Sequence, residues 1–124
     1  MCIRDSQQAI LPVKGNDLGV SRLSTVSQNK FQRLLKKKNT ILLDVRTEVE
    51  YKAGHIPGSL QIDFLKTEDF KKQVAVLDKS KPYLLYCRSG KRSKDAMTVM
   101  KEMGFTKLFD LQGGFNSWEG VKEQ

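Results

Sequence analysis

The sequence predicts an α/β fold, a central and mainly parallel five-stranded sheet flanked by helices on both faces. Ile41-Leu42-Leu43-Asp44-Val45 is a continuous apolar run broken only near its end, as expected for a strand buried on both faces of a parallel sheet. Tyr83-Leu84-Leu85-Tyr86, following Lys81-Pro82, is a second such run. Beyond it, Ala96, Met97, Val99, Met100 and Met103 recur at helical spacing, so strand patterns and helix patterns alternate along the chain.

The 124 residues give one domain room for an independent core. Residues 24–124 form that domain, and residues 1–23 read as an N-terminal arm, because Pro12, Gly15, Asn16 and Gly19 interrupt any period there. Met1 to Ser6 lack the apolar centre of a signal peptide and read as a remnant foreign to the natural chain. The expected compartment is therefore the cytoplasm, with the periplasm as the alternative if a native leader is missing.

Val26 closes a first short strand. Ser27 is the expected N-cap of a helix that puts Phe31, Leu34 and Leu35 on one face and ends near Lys38, where Lys36-Lys37-Lys38 meets the helix dipole. After the strand at residues 41–45, Thr47 caps a short helix carrying Glu48, Glu50 and Tyr51, which Gly54 ends. His55 is the only histidine, and within Gly-His-Ile-Pro-Gly its expected role is to brace a turn rather than to catalyse. Leu60 to Ile62 form another strand, and Glu68 to Leu77 a helix with Phe70, Val74 and Leu77 inward. The long helix is expected from Ser93 to Met103 and stops at Gly104. Leu108 to Leu111 make the last strand, Gly113-Gly114 a tight turn, and Trp118 a packing anchor.

Composition narrows the function classes. With 39% hydrophobic and 29% charged residues the chain is globular in type, and no apolar run approaches the roughly 18 residues of a membrane helix. The net charge of +8 is spread along the chain without the aromatic interleaving of a single-strand binder, so nucleic acid is not an expected partner. That charge does steer small anions. Cys2 and Cys87 are the two cysteines, and no structural disulfide is expected between them, which leaves Cys87 a free thiol. No metal-ligand spacing appears, and no metal or cofactor is expected.

The chemistry is expected at Cys87-Arg88-Ser89-Gly90-Lys91-Arg92-Ser93, a strand-to-helix junction. Unpaired N–H groups at a helix start stabilise an anion held in the loop. Arg88, Lys91 and Arg92 add three cations, and Gly90 lets the loop curl with amides inward, so the ionised, nucleophilic form of Cys87 is favoured. Asp44 and Arg46 fall at the carboxyl end of their strand, where open α/β sheets bind ligands, and so belong near this loop. They read as an ion pair that holds the loops.

This loop resembles the active-site loop of rhodanese-type sulfurtransferases. Two more stretches extend the resemblance across residues 24–120: Leu43-Asp44-Val45-Arg46-Thr47-Glu48 with Ala53-Gly54-His55-Ile56-Pro57-Gly58-Ser59, and Leu111-Gln112-Gly113-Gly114-Phe115-Asn116-Ser117-Trp118. The resemblance implies that Cys87 carries sulfur as a persulfide and that Arg88, Ser89, Gly90, Lys91, Arg92 and Ser93 cradle it. Lys91 and Arg92 would contact the donor, while Asp44 and Arg46 would shape the site. The implied partners are a small anionic sulfur donor such as thiosulfate and a thiol or cyanide acceptor, a protein thiol included, with the chain a monomer or weak dimer.

Two departures from the family pattern matter. Two-domain thiosulfate enzymes tend to carry lysine where this chain has Ser89 and arginine where it has Glu50, so thiosulfate is expected to serve as an assay donor more than as the physiological one. The basic loop also differs from the small-hydroxyl loop of mercaptopyruvate-using relatives. Cysteine phosphatases and arsenate enzymes place an arginine six residues after the cysteine, whereas Arg92 follows Cys87 by five and position 93 is serine. The alternatives to a free-standing enzyme are a carrier loaded by a partner protein and a binding module without catalysis.

Overall fold

The computed structural model describes residues 22–124. The expected arm, and Cys2 within it, lie outside the described residues except for the last two positions. Arg22 already belongs to the first strand. The elements run β1 (Arg22–Val26), α1 (Gln28–Leu35), β2 (Ile41–Asp44), α2 (Glu48–Ala53), β3 (Leu60–Gln61), α3 (Thr67–Ala75), β4 (Tyr83–Tyr86), α4 (Lys91–Glu102), β5 (Lys107–Leu111) and α5 (Gly114–Ser117).

The five strands form one sheet in the order β1-β5-β4-β2-β3, and every ladder is parallel. Parallel pairing requires each strand to be followed by a crossover, and here helices supply them. The strand ends therefore gather their loops along one edge. Leu43 sits opposite Leu85, and Leu85 opposite Asp110, so β2, β4 and β5 are in step at the centre.

Two apolar cores result, one on each face. Leu43, Leu85 and Leu108 pack against Phe70 and Val74 of α3 and Ala96, Met97 and Met100 of α4. Leu42, Leu84, Tyr86 and Leu111 pack against Phe31 of α1 and against Trp118. The side-chain alternation of a strand assigns these residues to opposite faces, and the burial of both explains why β4 is apolar at every position. None of the described helices is long and apolar enough to cross a membrane.

Several boundaries differ from expectation. Helix α1 stops at Leu35, so Lys36 caps it and Lys37 and Lys38 lie in the turn beyond. That turn passes through Asn39 at φ 67°, a left-handed position that asparagine tolerates. Helix α4 begins at Lys91, two residues before Ser93, which brings Lys91, Arg92 and Ser93 into its first turn. A short helix, α5, follows Gly113 where a turn alone was expected. Ser27 and Thr47 cap α1 and α2 as expected, the latter in a capping box with Glu50. Gly54 ends α2 at φ 161°, extended backbone open to any residue.

Candidate active site

Cys87 is the first residue after β4, at the edge where the strand ends gather. The neighbouring turn directs an amide at it. Gly90 stands at φ 115°, a left-handed conformation that a side chain would strain, and its N–H donates to Cys87 Sγ at 2.9 Å. Sγ is also 3.7 Å from the Ser93 hydroxyl, to which the thiol donates. Cys87 is a free cysteine and only 1% exposed.

Ser93 is buried and connects the sulfur to the sheet. Its Oγ lies 2.9 Å from Asp110 Oδ2 and 3.1 Å from the carbonyl of Gly90, and its one proton serves one of these acceptors at a time. Asp110, fully buried in β5, also accepts from Thr25 Oγ1 of β1 at 2.6 Å. Neither Thr25 nor Asp110 stood out in the sequence, since each reads as an ordinary strand position. Their chemistry comes from the parallel register that sets Thr25 beside Asp110.

The loop is held from behind by α5. The N–H of Phe115 donates to the carbonyl of Cys87 at 2.8 Å, and that of Asn116 to the carbonyl of Arg88 at 3.0 Å. Helix-start amides thus clamp two carbonyls of the loop, while the Gly90 amide contacts the sulfur. Gly114 makes the contact feasible: at φ 62°, a Cβ there would lie 2.5 Å from the Arg88 carbonyl oxygen and 2.6 Å from that of Cys87. The sequence predicts a tight turn at Gly113-Gly114. The close approach of two backbones is its further role.

The three cations of the loop have different surroundings. Arg88 and Lys91 are exposed, and Lys91 Nζ is 3.9 Å from Asp95 on the same helix. Arg92 instead makes a two-pronged pair with Glu50 of α2, Nη1 to Oε1 at 2.8 Å and Nη2 to Oε2 at 3.0 Å. The Arg92 hydrogen bonds hold the Glu50 carboxyl at about 2, against the opposing effect of burial. In return Glu50 raises the affinity of Arg92 for its proton, with a smaller contribution from Cys87. An arginine expected to meet the donor is already engaged by a carboxylate.

Asp44 and Arg46 form a buried pair beside the loop. Arg46 Nη2 meets Asp44 Oδ2 at 2.6 Å and its Nε meets Oδ1 at 2.9 Å, while Nη2 also donates to the Gly54 carbonyl at 2.6 Å. Burial opposes the charge of Arg46, but Asp44 outweighs it and the guanidinium is held more firmly protonated. The guanidinium carbon lies 4.4 Å from the centre of the Phe115 ring and 5.3 Å from that of Tyr86. Phe115 thus carries Arg46 on its ring and Cys87 on its amide. Burial, together with Asp44, pushes the Tyr86 hydroxyl upward, and Ile56 N–H donates to it at 3.0 Å.

His55 is engaged on both ring nitrogens, Nδ1 2.8 Å from the Tyr51 carbonyl and Nε2 3.4 Å from Glu123 Oε1, and it stacks on Tyr51. Its backbone also bridges to Glu123. It braces the chain terminus against α2. Trp118 packs edge-on to Phe31 at 5.8 Å and donates Nε1–H to Val121, as a packing anchor does.

A five-stranded parallel sheet with a buried cysteine just past the end of its central strand, its sulfur met by the Gly90 N–H, defines a class of sulfur-handling α/β domain. The model of the rhodanese-like domain matches residues 27–120, and the chain belongs to that family. It is 31% identical over 94 residues to the thiosulfate sulfurtransferase GlpE of Coxiella burnetii, covering 76% of this chain and 85% of that protein. The GlpE of Pseudoalteromonas translucida is 31% identical over 88 residues, 71% of this chain and 81% of its own. The crystal structure of a rhodanese-related protein from Thermoplasma volcanium superposes with a TM-score of 0.66 at 25% identity, over 77% of this chain and 89% of that one. Homology to these sulfurtransferases, with the buried cysteine in the loop, supports rhodanese-type sulfur transfer as the general activity.

Proposed function

We propose that the protein moves a sulfane sulfur from a donor such as thiosulfate to a thiol or cyanide acceptor through a persulfide on Cys87. The ionised sulfur attacks the outer sulfur of the donor. A new S–S bond forms, the donor's own S–S bond breaks, and its electron pair leaves with sulfite. An acceptor thiolate or cyanide then attacks the outer sulfur of Cys87-S-S⁻, and the bond to Sγ breaks to return the thiolate. No oxidant or reductant enters the cycle. The proton of the resting thiol passes to solvent or to the departing anion.

The observation that carries this reading is the Gly90 N–H at 2.9 Å from Sγ, in a loop whose carbonyls are clamped by α5. Such a preorganised amide stabilises negative charge on sulfur without further rearrangement. On this reading Arg88, Ser89, Lys91 and Arg92 meet the incoming donor, and Ser93, whose Oγ is 3.7 Å from Sγ, supports the sulfur.

A second reading is favoured by the Glu50–Arg92 pair. A donor with two negative charges finds Arg92 neutralised, so thiosulfate is expected to be a slow donor and a partner-borne persulfide a faster one. In that case the chain acts as a carrier loaded by another protein.

An intact-mass measurement after incubation with thiosulfate, followed by cyanide and a thiocyanate assay, tests the cycle. One added sulfur atom on Cys87 that cyanide removes is the expected result. Cys87→Ser should lose sulfur transfer entirely while its thermal unfolding stays close to that of the native chain; turnover retained in that variant would remove Cys87 from the mechanism. No added sulfur from thiosulfate, but loading from a protein persulfide, selects the carrier.

A further inference from the structure

We infer that Asp110 is a positioning residue for Cys87, acting through the hydroxyl of Ser93 to set how much of the thiol is ionised. The inference deepens the sulfur-transfer reading and rests on it only for its use. Its evidence is a chain of three buried or half-buried contacts: Thr25 Oγ1 to Asp110 Oδ1 at 2.6 Å, Ser93 Oγ to Asp110 Oδ2 at 2.9 Å, and Cys87 Sγ to Ser93 Oγ at 3.7 Å. Asp110 and Ser93 are fully buried, and among the ion pairs of the described residues none includes Asp110.

Ser93 has one proton and several candidate acceptors. A carboxylate attracts that proton more strongly than a neutral carbonyl or a thiol, because charge-assisted hydrogen bonds are the stronger ones. With its proton given to Asp110, Ser93 presents a lone pair to Cys87 and accepts the S–H. This arrangement holds the protonated thiol. Once the thiol proton is lost, the hydroxyl must turn toward Sγ, and Asp110 keeps only the Thr25 donor. Asp110 therefore opposes the thiolate twice, by its own charge and by its claim on the proton of Ser93.

Other groups act on the same sulfur. Gly90 N–H from the loop favours the thiolate, as does Arg92 of α4 in part, since Glu50 of α2 offsets its charge. Asp63, beyond β3, adds a smaller electrostatic pull on Arg92. Arg88 and Lys91 are exposed to solvent, Asp44 of β2 is matched by Arg46, and α5 contributes uncharged amides. Among the described residues, Asp110 is thus the negative group joined to the sulfur by a hydrogen-bonded path. Its effect is to counter part of the pull of Gly90 and Arg92 toward the thiolate until the donor arrives, which limits idle oxidation of a reactive sulfur.

The test reads the thiol rather than sulfur transfer: the pH profile of iodoacetamide alkylation, followed on the peptide that carries Cys87. A normal profile with no sulfur transfer would count against the function and leave this inference standing. Asp110→Asn keeps the shape and the Thr25 contact but offers an amide donor to Ser93, which frees the serine proton for the sulfur. Its alkylation midpoint should fall by about one pH unit, with up to about tenfold faster alkylation on the acid side. A midpoint that is unchanged or raised overturns the inference. Adding Ser93→Ala to Asp110→Asn should remove most of the shift. A shift of full size in the double variant, measured against Ser93→Ala alone, means the charge acts only directly, and the path through Ser93 is then wrong. If Asp110→Asn does not fold, Thr25→Val gives an independent reading, because a carboxylate stripped of that donor draws the serine proton harder. Its midpoint should rise, and an unchanged or lower one overturns the inference as well.

Discussion

Asp44 and Asp110 are both aspartates, both fully buried and both near the carboxyl ends of strands in one parallel sheet. They differ in their partners and in the face they occupy. Asp44 shares the face of Leu42 and is fastened by an arginine that also binds a carbonyl and rests on two aromatic rings. Asp110 shares the face of Leu108 and, among its described contacts, holds two hydroxyls. A guanidinium fixes a carboxylate in one state and one place, whereas a hydroxyl can turn and hand its proton elsewhere. The first arrangement builds the wall of the site, and the second remains responsive to the charge on the sulfur.

The contrast breaks most sharply at Arg46. Arg46→Met leaves Asp44 buried without its counter-charge, which is expected to cost about 3–5 kcal/mol of folding free energy. Asp110→Asn removes a charge but no shape, and its cost should stay near about 1 kcal/mol. Urea unfolding of the two variants side by side measures both. Equal losses would mean that Asp110 is as structural as Asp44, and the distinction between the two would fail.

Next in size is the clamp that joins the walls. Gly114→Ala forces a side chain into a left-handed position and into the carbonyls of Arg88 and Cys87, at an expected cost of about 2 kcal/mol or more. Because the strain falls on the loop, the rate of Cys87 alkylation should change along with stability. A destabilised protein with native Cys87 reactivity would show that α5 supports the fold but does not hold the loop.

Much of this was legible from the sequence because its causes are local. Ile41 to Val45 and Tyr83 to Tyr86 declare themselves by unbroken apolarity, and Cys87 by its place after one of them. Thr47 announces a helix start by its place before Glu48, and the structure adds the reciprocal bond from Glu50. What escaped depends on the order of strands. Thr25 and Asp110 are 85 residues apart and meet only because β1 pairs with β5. Glu50 and Arg92, 42 residues apart, were each noticed as charges near the site, yet nothing local reveals that they bind each other. The early start of α4 was missed for a related reason: Lys91-Arg92 carries no apolar signal, and its helical state follows from the turn at Gly90.

The Glu50–Arg92 pair supplies the smallest effect and the finest test of the same contrast. It lies at the rim, with the two side chains 26% and 22% exposed, so solvent screening limits its worth to about 1 kcal/mol or less. The Glu50 carboxyl titrates at about 2 in the folded protein against an ordinary 4.5. Between those values the unfolded chain binds more protons than the folded one. The contribution is therefore complete above the ordinary carboxylate value and disappears as the pH falls toward the folded one. The unfolding free energy of the native chain minus that of Glu50→Gln should shrink steadily as the pH is lowered through that interval, and more so at low salt. A difference that stays flat there would mean the pair adds nothing to folding. The same variant frees Arg92, so the KM for thiosulfate should fall while kcat changes little. An unchanged KM would show that the carboxylate does not compete with the donor for this arginine.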